Sequence, residues 1–387
     1  MKYNFDKVTN RFNTSSIKWD VKENELPMWV ADMDFETSPE IIKGFKKRVN
    51  HGIYGYVNLS DKWYDSYIYR FKKRHHFNIK REWLIFSTGV IPTISSAIRR
   101  MSKVNDNIVV LTPVYNIFYN SILNNNRKVL SSSLIYKNNQ YDIDFADLEN
   151  KLSLEETTVL LLCNPHNPVG RIWTFEELDK IGKLCAKHNV KVISDEIHGD
   201  LTRTGKEYLP FAKVSKLNKN ISITCVAPTK TFNLAGIQTS AIIIPNPELK
   251  RLVERGLNTD ECAEANVLAE IAPYLAFRKS EKWLDELRLY LDKNIKYVED
   301  FVFEHLPEIK LIKCDATYLL WLDCSSFCSD TTKFQAFLRE TTGLYLSSGE
   351  AYGPEGKTFL RMNVATTFEN VKDGINRLKI GISLFRK

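Results

Sequence analysis

Ala227-Pro228-Thr229-Lys230-Thr231-Phe232-Asn233-Leu234-Ala235-Gly236 sits between two apolar stretches that both read as strands, residues 221–226 before it and 239–245 after it. A lysine delivered by a buried strand into a loop of small residues loses hydration unless it is paired or neutralised. A lysine that forms an imine with an aldehyde cofactor has a chemical reason to stand there. The alternative is a loop lysine that extends its amine to water, and the rest of the chain decides between them.

Outward from that stretch, the pattern is strand, loop, helix, repeated. Residues 83–87 form an apolar strand that turns at Gly89 into a helix expected over 92–101, with Pro92 in its first turn. Free amides at such a start suit a phosphate. Residues 108–111 and 158–163 read as buried strands ending at Tyr115 and at Asn164-Pro165-His166-Asn167-Pro168. Thr174 and Glu177 have capping-box spacing at the head of a helix over 174–188. A strand over 190–194 then ends at Asp195-Glu196-Ile197-His198. Apolar strands alternating with helices predict a mostly parallel sheet covered on both faces, with ligands beyond the carboxyl ends of its strands. Thr88, Gly89, Tyr115, Asn167, Asp195 and Lys230 all fall at that edge.

Before this block lie an irregular arm over 1–40, a helix over 39–49, a glycine-punctuated loop at His51-Gly52-Ile53-Tyr54-Gly55-Tyr56 and a helix over 61–75. After it, apolar residues from Trp283 to Val302 recur at helical spacing, predicting one long helix over 280–306. Short strands at 309–313, 318–323 and 358–364, with helices at 332–340 and 369–384, predict a smaller α+β domain.

Composition bounds the function classes. The 387 residues suffice for two domains sharing a large core, and 43% hydrophobic with 26% charged residues is ordinary for a globular protein. No window approaches about 18 uncharged apolar residues, and the first 13 residues are polar, so we expect a cytoplasmic protein with no membrane partner. The net charge of +7 comes with basic runs, Lys46-Lys47-Arg48 and Lys72-Lys73-Arg74, on helix faces and with no nucleic-acid-binding signature. Seven cysteines without a CxxC pair read as buried thiols rather than metal ligands or disulfides.

The residues at the strand edge match what pyridoxal phosphate (PLP) demands. Lys230 can form the imine. Asp195 can hold a proton on the ring nitrogen, with a turn or helix-cap aspartate as the alternative. Asn167 and His198 can face the ring hydroxyl, and Tyr115 can stack on the ring or serve the core.

Taken together, the motifs Trp29-Val30-Ala31-Asp32-Met33-Asp34-Phe35, Tyr54-Gly55-Tyr56, Cys163 to Arg171, Ser194 to His198, Thr229 to Gly236 and Phe359-Leu360-Arg361-Met362-Asn363 carry a resemblance over nearly the whole chain. The chain resembles fold-type I PLP enzymes of the aminotransferase class I/II superfamily, in their cystathionine β-lyase or cysteine carbon–sulfur lyase branch. The resemblance implies an α/β fold with a mostly parallel seven-stranded sheet flanked by helices and a smaller α+β domain. It divides the chain into an arm and part of the small domain over 1–50, a PLP-binding domain over 51–280 and a C-terminal α+β domain over 281–387.

The resemblance also implies roles. Lys230 would anchor PLP and act as the base on the α-proton, and Asp195 would pair with the ring nitrogen. Asn167 and His198 would hold the ring hydroxyl, and Tyr115 the ring face. Gly89, Val90, Ile91 and Thr229 would bind the phosphate, with Tyr56 reaching in from a second subunit of a homodimer whose sites lie at the interface. Arg361 would clamp the substrate carboxylate, with Ala31, Asn167, Tyr115 and Tyr119, and also Phe118, near the substrate. No metal is implied. Gln238 and Ala227 depart from the arginine and serine common in transaminases, and Ala316-Thr317 replaces an expected Gly-Thr. The implied reaction is elimination of a thiol from L-cystathionine or another cysteine thioether. A transaminase sharing these residues, and a regulatory protein-binding role on the same fold, are the rival readings.

Overall fold

The computed structural model describes residues 2–386. Seven strands, numbered here in chain order, build the central sheet: β1 (Leu84–Ser87), β2 (Asn107–Thr112), β3 (Lys128–Ser133), β4 (Thr157–Cys163), β5 (Lys191–Asp195), β6 (Ser222–Val226) and β7 (Ser240–Ile243). Their spatial order is β1-β7-β6-β5-β4-β2-β3. The neighbours from β6 to β3 pair in parallel, whereas β7 runs antiparallel to both β6 and β1. The sheet is therefore mostly parallel and seven-stranded, as the sequence implied.

Alternation along the strands explains the two covered faces. In β2, Ile108 and Val110 join one apolar cluster and Val109 and Leu111 the other; in β4, Val159, Leu161 and Cys163 oppose Leu160 and Leu162. Only β3 is polar and partly exposed, as an edge strand should be. Thr174 caps the helix Phe175–Lys187 with the predicted capping box. The helix after β1 starts two residues earlier than the expected Pro92: it spans Val90–Met101 with Gly89 at the N-cap. Pro92 at the third position is tolerated because the first helical amides have no intrahelical acceptor.

The C-terminal part holds the long helix Glu281–His305 and an antiparallel sheet ordered Lys310–Leu311, Leu319–Asp323, Phe359–Asn363 and Ser347–Ser348. The strand expected over 309–313 is thus only two residues long. The helix expected over 332–340 runs over Thr331–Thr342 and stops at Gly343, whose φ of 72° is left-handed. The amino-terminal arm belongs physically to this part: Leu26–Pro27 pairs in parallel with Leu344–Tyr345, and Phe5, Met28 and Phe35 join its core. No helix among the described residues is long and apolar enough to cross a membrane. All seven cysteines are buried free thiols.

Candidate active site

A cavity of about 520 Å³ opens beyond the carboxyl ends of β1, β4, β5 and β6. Gly89, Val90, Ile91, Tyr115, Asn167, Asp195, His198, Thr229, Lys230 and Ala31 all line it. Residues separated by up to two hundred positions are thus brought to one wall, most of them on the loops and helix start that follow the sheet's strands.

Lys230 is half-buried and donates from Nζ to the carbonyl of Ala31 at 2.7 Å. Desolvation, with the nearby charge of Arg361, pulls its pKa down to about 8, against the pull of Asp32 and Asp195. Asp195 ends β5, and its Oδ1 accepts from the amide of Ile197 at 3.1 Å. One amide is little for a buried carboxylate, and desolvation raises its pKa to about 7 despite that bond and the charge of Lys230. His198 is buried, with no partner for Nδ1 among the described residues. Desolvation, then the charges of Lys230 and Arg361, lower its pKa to about 3, so the imidazole is neutral. The site therefore contains a carboxyl lacking a cation and an imidazole nitrogen lacking a partner.

Gly89, also in the wall, caps its helix without a side-chain hydrogen bond, leaving the first amides and the positive helix end at the cavity. Thr229 and Gln238 line it too, the latter with φ 56°. Asn167 is buried, and its Oδ1 accepts from Arg361 Nη1 at 3.4 Å. Tyr115 is half-buried and meets Phe118 edge-on at 5.8 Å between centroids; burial raises its hydroxyl to about 12.

Arg361 lies one layer behind Asn167, only 4% exposed, with no carboxylate within 4 Å among the described residues. Its Nη2 donates to the carbonyl of Trp29 at 2.9 Å, its Nε has no partner, and Tyr352 lies under the guanidinium at 4.7 Å. A buried cation satisfied only by neutral acceptors suits an incoming carboxylate.

Besides Arg361, which does not itself border the cavity, three expected residues stand elsewhere. Phe118 is fully buried in the core of the sheet and does not border the cavity, because its helix turns that face inward. Tyr119 also lies outside the wall; its hydroxyl donates to the carbonyl of Tyr352 at 3.0 Å. Tyr56 is 99% exposed on the glycine loop and touches nothing of this cavity in its own chain.

The sequence reading missed Ile197, Pro92, Cys163, Ala235 and Glu261 in the wall. Glu261 carried no signal, as it lies outside every motif. The motif over residues 29–35 was marked in the sequence, but not the bonds that hold it as a strap. Asn363 Nδ2 donates to the carbonyls of Val30 and Asp32, Asn233 brackets Met33 and Phe35, and Arg11 pairs with Asp32 and Asp34. Both asparagines stand inside quoted motifs, Asn233 three residues after Lys230 and Asn363 two after Arg361.

Residues 24–378 match the model of the family described as aminotransferase class I and II. The chain is 41% identical to cystathionine β-lyase PatB of Bacillus subtilis, over 98% of this chain and all of that protein. Among solved structures, cystalysin from Treponema denticola, which contains pyridoxal 5'-phosphate, superposes with a TM-score of 0.96 at 32% identity, covering 99% of both chains. A PLP-bound protein described as a putative aminotransferase from Clostridium difficile superposes with a TM-score of 0.95 at 38% identity, covering 98% of this chain and all of that one.

Proposed function

The chain belongs to the aminotransferase class I and II family, and from that premise we propose that it is a PLP-dependent carbon–sulfur β-lyase acting on L-cystathionine or a related cysteine thioether. The observation that carries the reading is Lys230, an amine brought near neutrality by desolvation and held only by a backbone carbonyl, opposite a buried carboxyl that lacks a cation. The choice of elimination over transamination rests on full-length similarity to a cystathionine β-lyase.

The residues present fit the cofactor. Asp195 would meet the protonated ring nitrogen, and Asn167 and the unpartnered His198 would meet the ring hydroxyl. Tyr115 would cover the ring, and the amides of Gly89, Val90 and Ile91 with Thr229 would hold the phosphate. When bound, the cofactor supplies an electron sink that weakens the bond from the substrate α-carbon to its hydrogen and lets the β-substituent depart.

The chain's own residues do the rest. Arg361 exchanges neutral acceptors for the substrate carboxylate and so fixes the α-carbon. Lys230, with a pKa of about 8, is partly unprotonated at neutral pH and accepts the α-proton at Nζ. Asp195 keeps the ring nitrogen's proton in place as a buried counter-charge. Ile91, Pro92 and Ile197 make the wall apolar and limit water. The net reaction takes a cysteine thioether and water to a thiol, pyruvate and ammonia.

Tyr56 acts, in this reading, from a second copy of the chain: an exposed tyrosine on an exposed Ile53-Tyr54 loop needs a partner surface. A homodimer with shared sites follows, each subunit pairing a cofactor domain over 51–280 with a smaller one built from the arm and residues 281–387. The test is to supply purified protein and PLP with L-cystathionine and no 2-oxo acid. Thiol and pyruvate released in equal amounts support the lyase; amino-group exchange that appears only when a 2-oxo acid is added overturns it.

A further inference from the structure

One carbonyl, that of Ala31, serves two side chains. Lys230 Nζ donates to it at 2.7 Å, and the hydroxyl of Tyr318 donates to it at 3.1 Å. Tyr318 is fully buried and stands at the head of the strand Leu319–Asp323. Its ring also meets that of His198 edge-on, at 6.4 Å and 81°.

The backbone before Tyr318 is strained. Thr317 has φ 76°, a left-handed value that a β-branched residue rarely adopts. The strain persists because the loop is pinned on both sides. The Thr317 amide donates to the carbonyl of Leu201 at 2.6 Å, and the amides of Asp315 and Ala316 both donate to that of Gly170. These anchors belong to the loops that carry His198 and Asn167. Strain held in place by its surroundings at a site edge is characteristic of a functional constraint, and here it aims one phenol at one carbonyl.

We propose that Tyr318 is a positioning residue: by sharing the Ala31 carbonyl with Lys230, its hydroxyl sets how readily the lysine gives up and regains its proton. An ammonium donates more strongly than an amine, so a free carbonyl favours protonated Lys230. A second donor on the same oxygen draws off part of its acceptor strength and favours the amine. The other groups facing Lys230 are Asp195 and Asp32, which favour the ammonium, Arg361, which opposes it, and the neutral His198 and Tyr115. Tyr318 is uncharged and fixed, and it acts on that balance through geometry. Arg11 holds Asp32 through both oxygens, at 2.6 and 3.2 Å, so the strap carrying Ala31 keeps its place when Tyr318 changes.

The proposal rests on Lys230 being the reactive amine of the lyase, yet its test reads the amine directly and needs no turnover. The full-length protein is stripped of cofactor and labelled with cyanate across a pH series, and peptide mass spectrometry follows carbamylation of Lys230. Tyr318→Phe is expected to raise the labelling midpoint by about one pH unit, a tenfold slower reaction at fixed pH below both midpoints, equivalent to about 1.4 kcal/mol. Tyr290→Phe, which loses a hydroxyl hydrogen-bonded elsewhere, is expected to leave the midpoint in place. Incorporating 3-fluorotyrosine at position 318, a stronger donor of nearly the same shape, is expected to lower it, which keeps the test open should Tyr318→Phe fold poorly. An unmoved midpoint in folded Tyr318→Phe, a rise with 3-fluorotyrosine, or an equal shift in Tyr290→Phe overturns the proposal. A lysine that labels as predicted in a protein without lyase activity would instead count against the proposed function alone.

Discussion

Replacing Asp195 with asparagine has opposite consequences for the free and the loaded protein. The carboxyl is buried, accepts only the Ile197 amide and is raised from the ordinary 3.8 to about 7 by desolvation. At about 1.4 kcal/mol per pKa unit, holding it as an anion in the cofactor-free protein costs about 4 kcal/mol once the pH exceeds both values. Between about pH 4 and pH 7 the folded chain binds more protons at this site than the unfolded one, so wild-type stability falls as pH rises through that window. Asp195→Asn retains the Ile197 bond and removes the titration. Urea unfolding of cofactor-free protein should therefore find the variant more stable at about pH 8, by up to about 4 kcal/mol, with the gap closing towards about pH 4. Cofactor titration by visible absorption should find the reverse, at least about a hundredfold weaker binding, because a buried cation on the ring would lose its counter-charge. A cofactor-free variant less stable than wild type at high pH, or a gap independent of pH, would refute the assignment of Asp195 as an isolated carboxyl awaiting a cation.

Other outcomes follow from the same geometry. Arg361→Lys keeps the charge but loses the planar fork, and kcat/KM should fall about a hundredfold, equivalent to about 2.7 kcal/mol, with cofactor binding intact; unchanged kinetics would remove Arg361 from the substrate site. Lys230→Ala and Tyr56→Ala should each be inactive alone. Refolded together in equal amounts they should regain about one quarter of wild-type activity, since half the dimers are mixed and each carries one intact site. No recovery would mean that Tyr56 acts in its own chain, and an active Tyr56→Ala protein would mean that it does not act at all.

Much of this was legible in the sequence because one physical rule did most of the selecting. In a parallel sheet, the residue after each buried strand lands at the same edge, so Gly89, Tyr115, Asn167, Asp195 and Lys230 could be assembled without coordinates. The helices 39–49 and 61–75 were readable from the spacing of their apolar and aromatic residues, and the structure places them at Pro39–Val49 and Asp61–His75. Strand β3 was not, since Lys128 to Ser133 is an edge strand with little apolar alternation. Nor was the role of the arm. Lys18 is fully buried against Asp34 at 2.9 Å, a pairing across sixteen positions that no periodicity announces. Tyr119 and Phe118 were misplaced for a related reason: neighbours of a site residue on a short helix, Ile117–Leu123, point to different sides, and spacing from Tyr115 does not fix its entry angle. In sequence the departure was Ala316 for an expected glycine, and only the φ of 76° at the neighbouring Thr317 exposes the strain behind Tyr318.

Everything above depends on the cofactor being joined to one particular lysine among many. The direct measurement is borohydride reduction of the purified, PLP-saturated protein, followed by peptide mapping. A pyridoxyl-phosphate mass is expected on Lys230, with loss of the visible band, and with loss of that label when L-cystathionine is added just before reduction. A cofactor mass on any other lysine, or no stable label at saturating PLP, would contradict it.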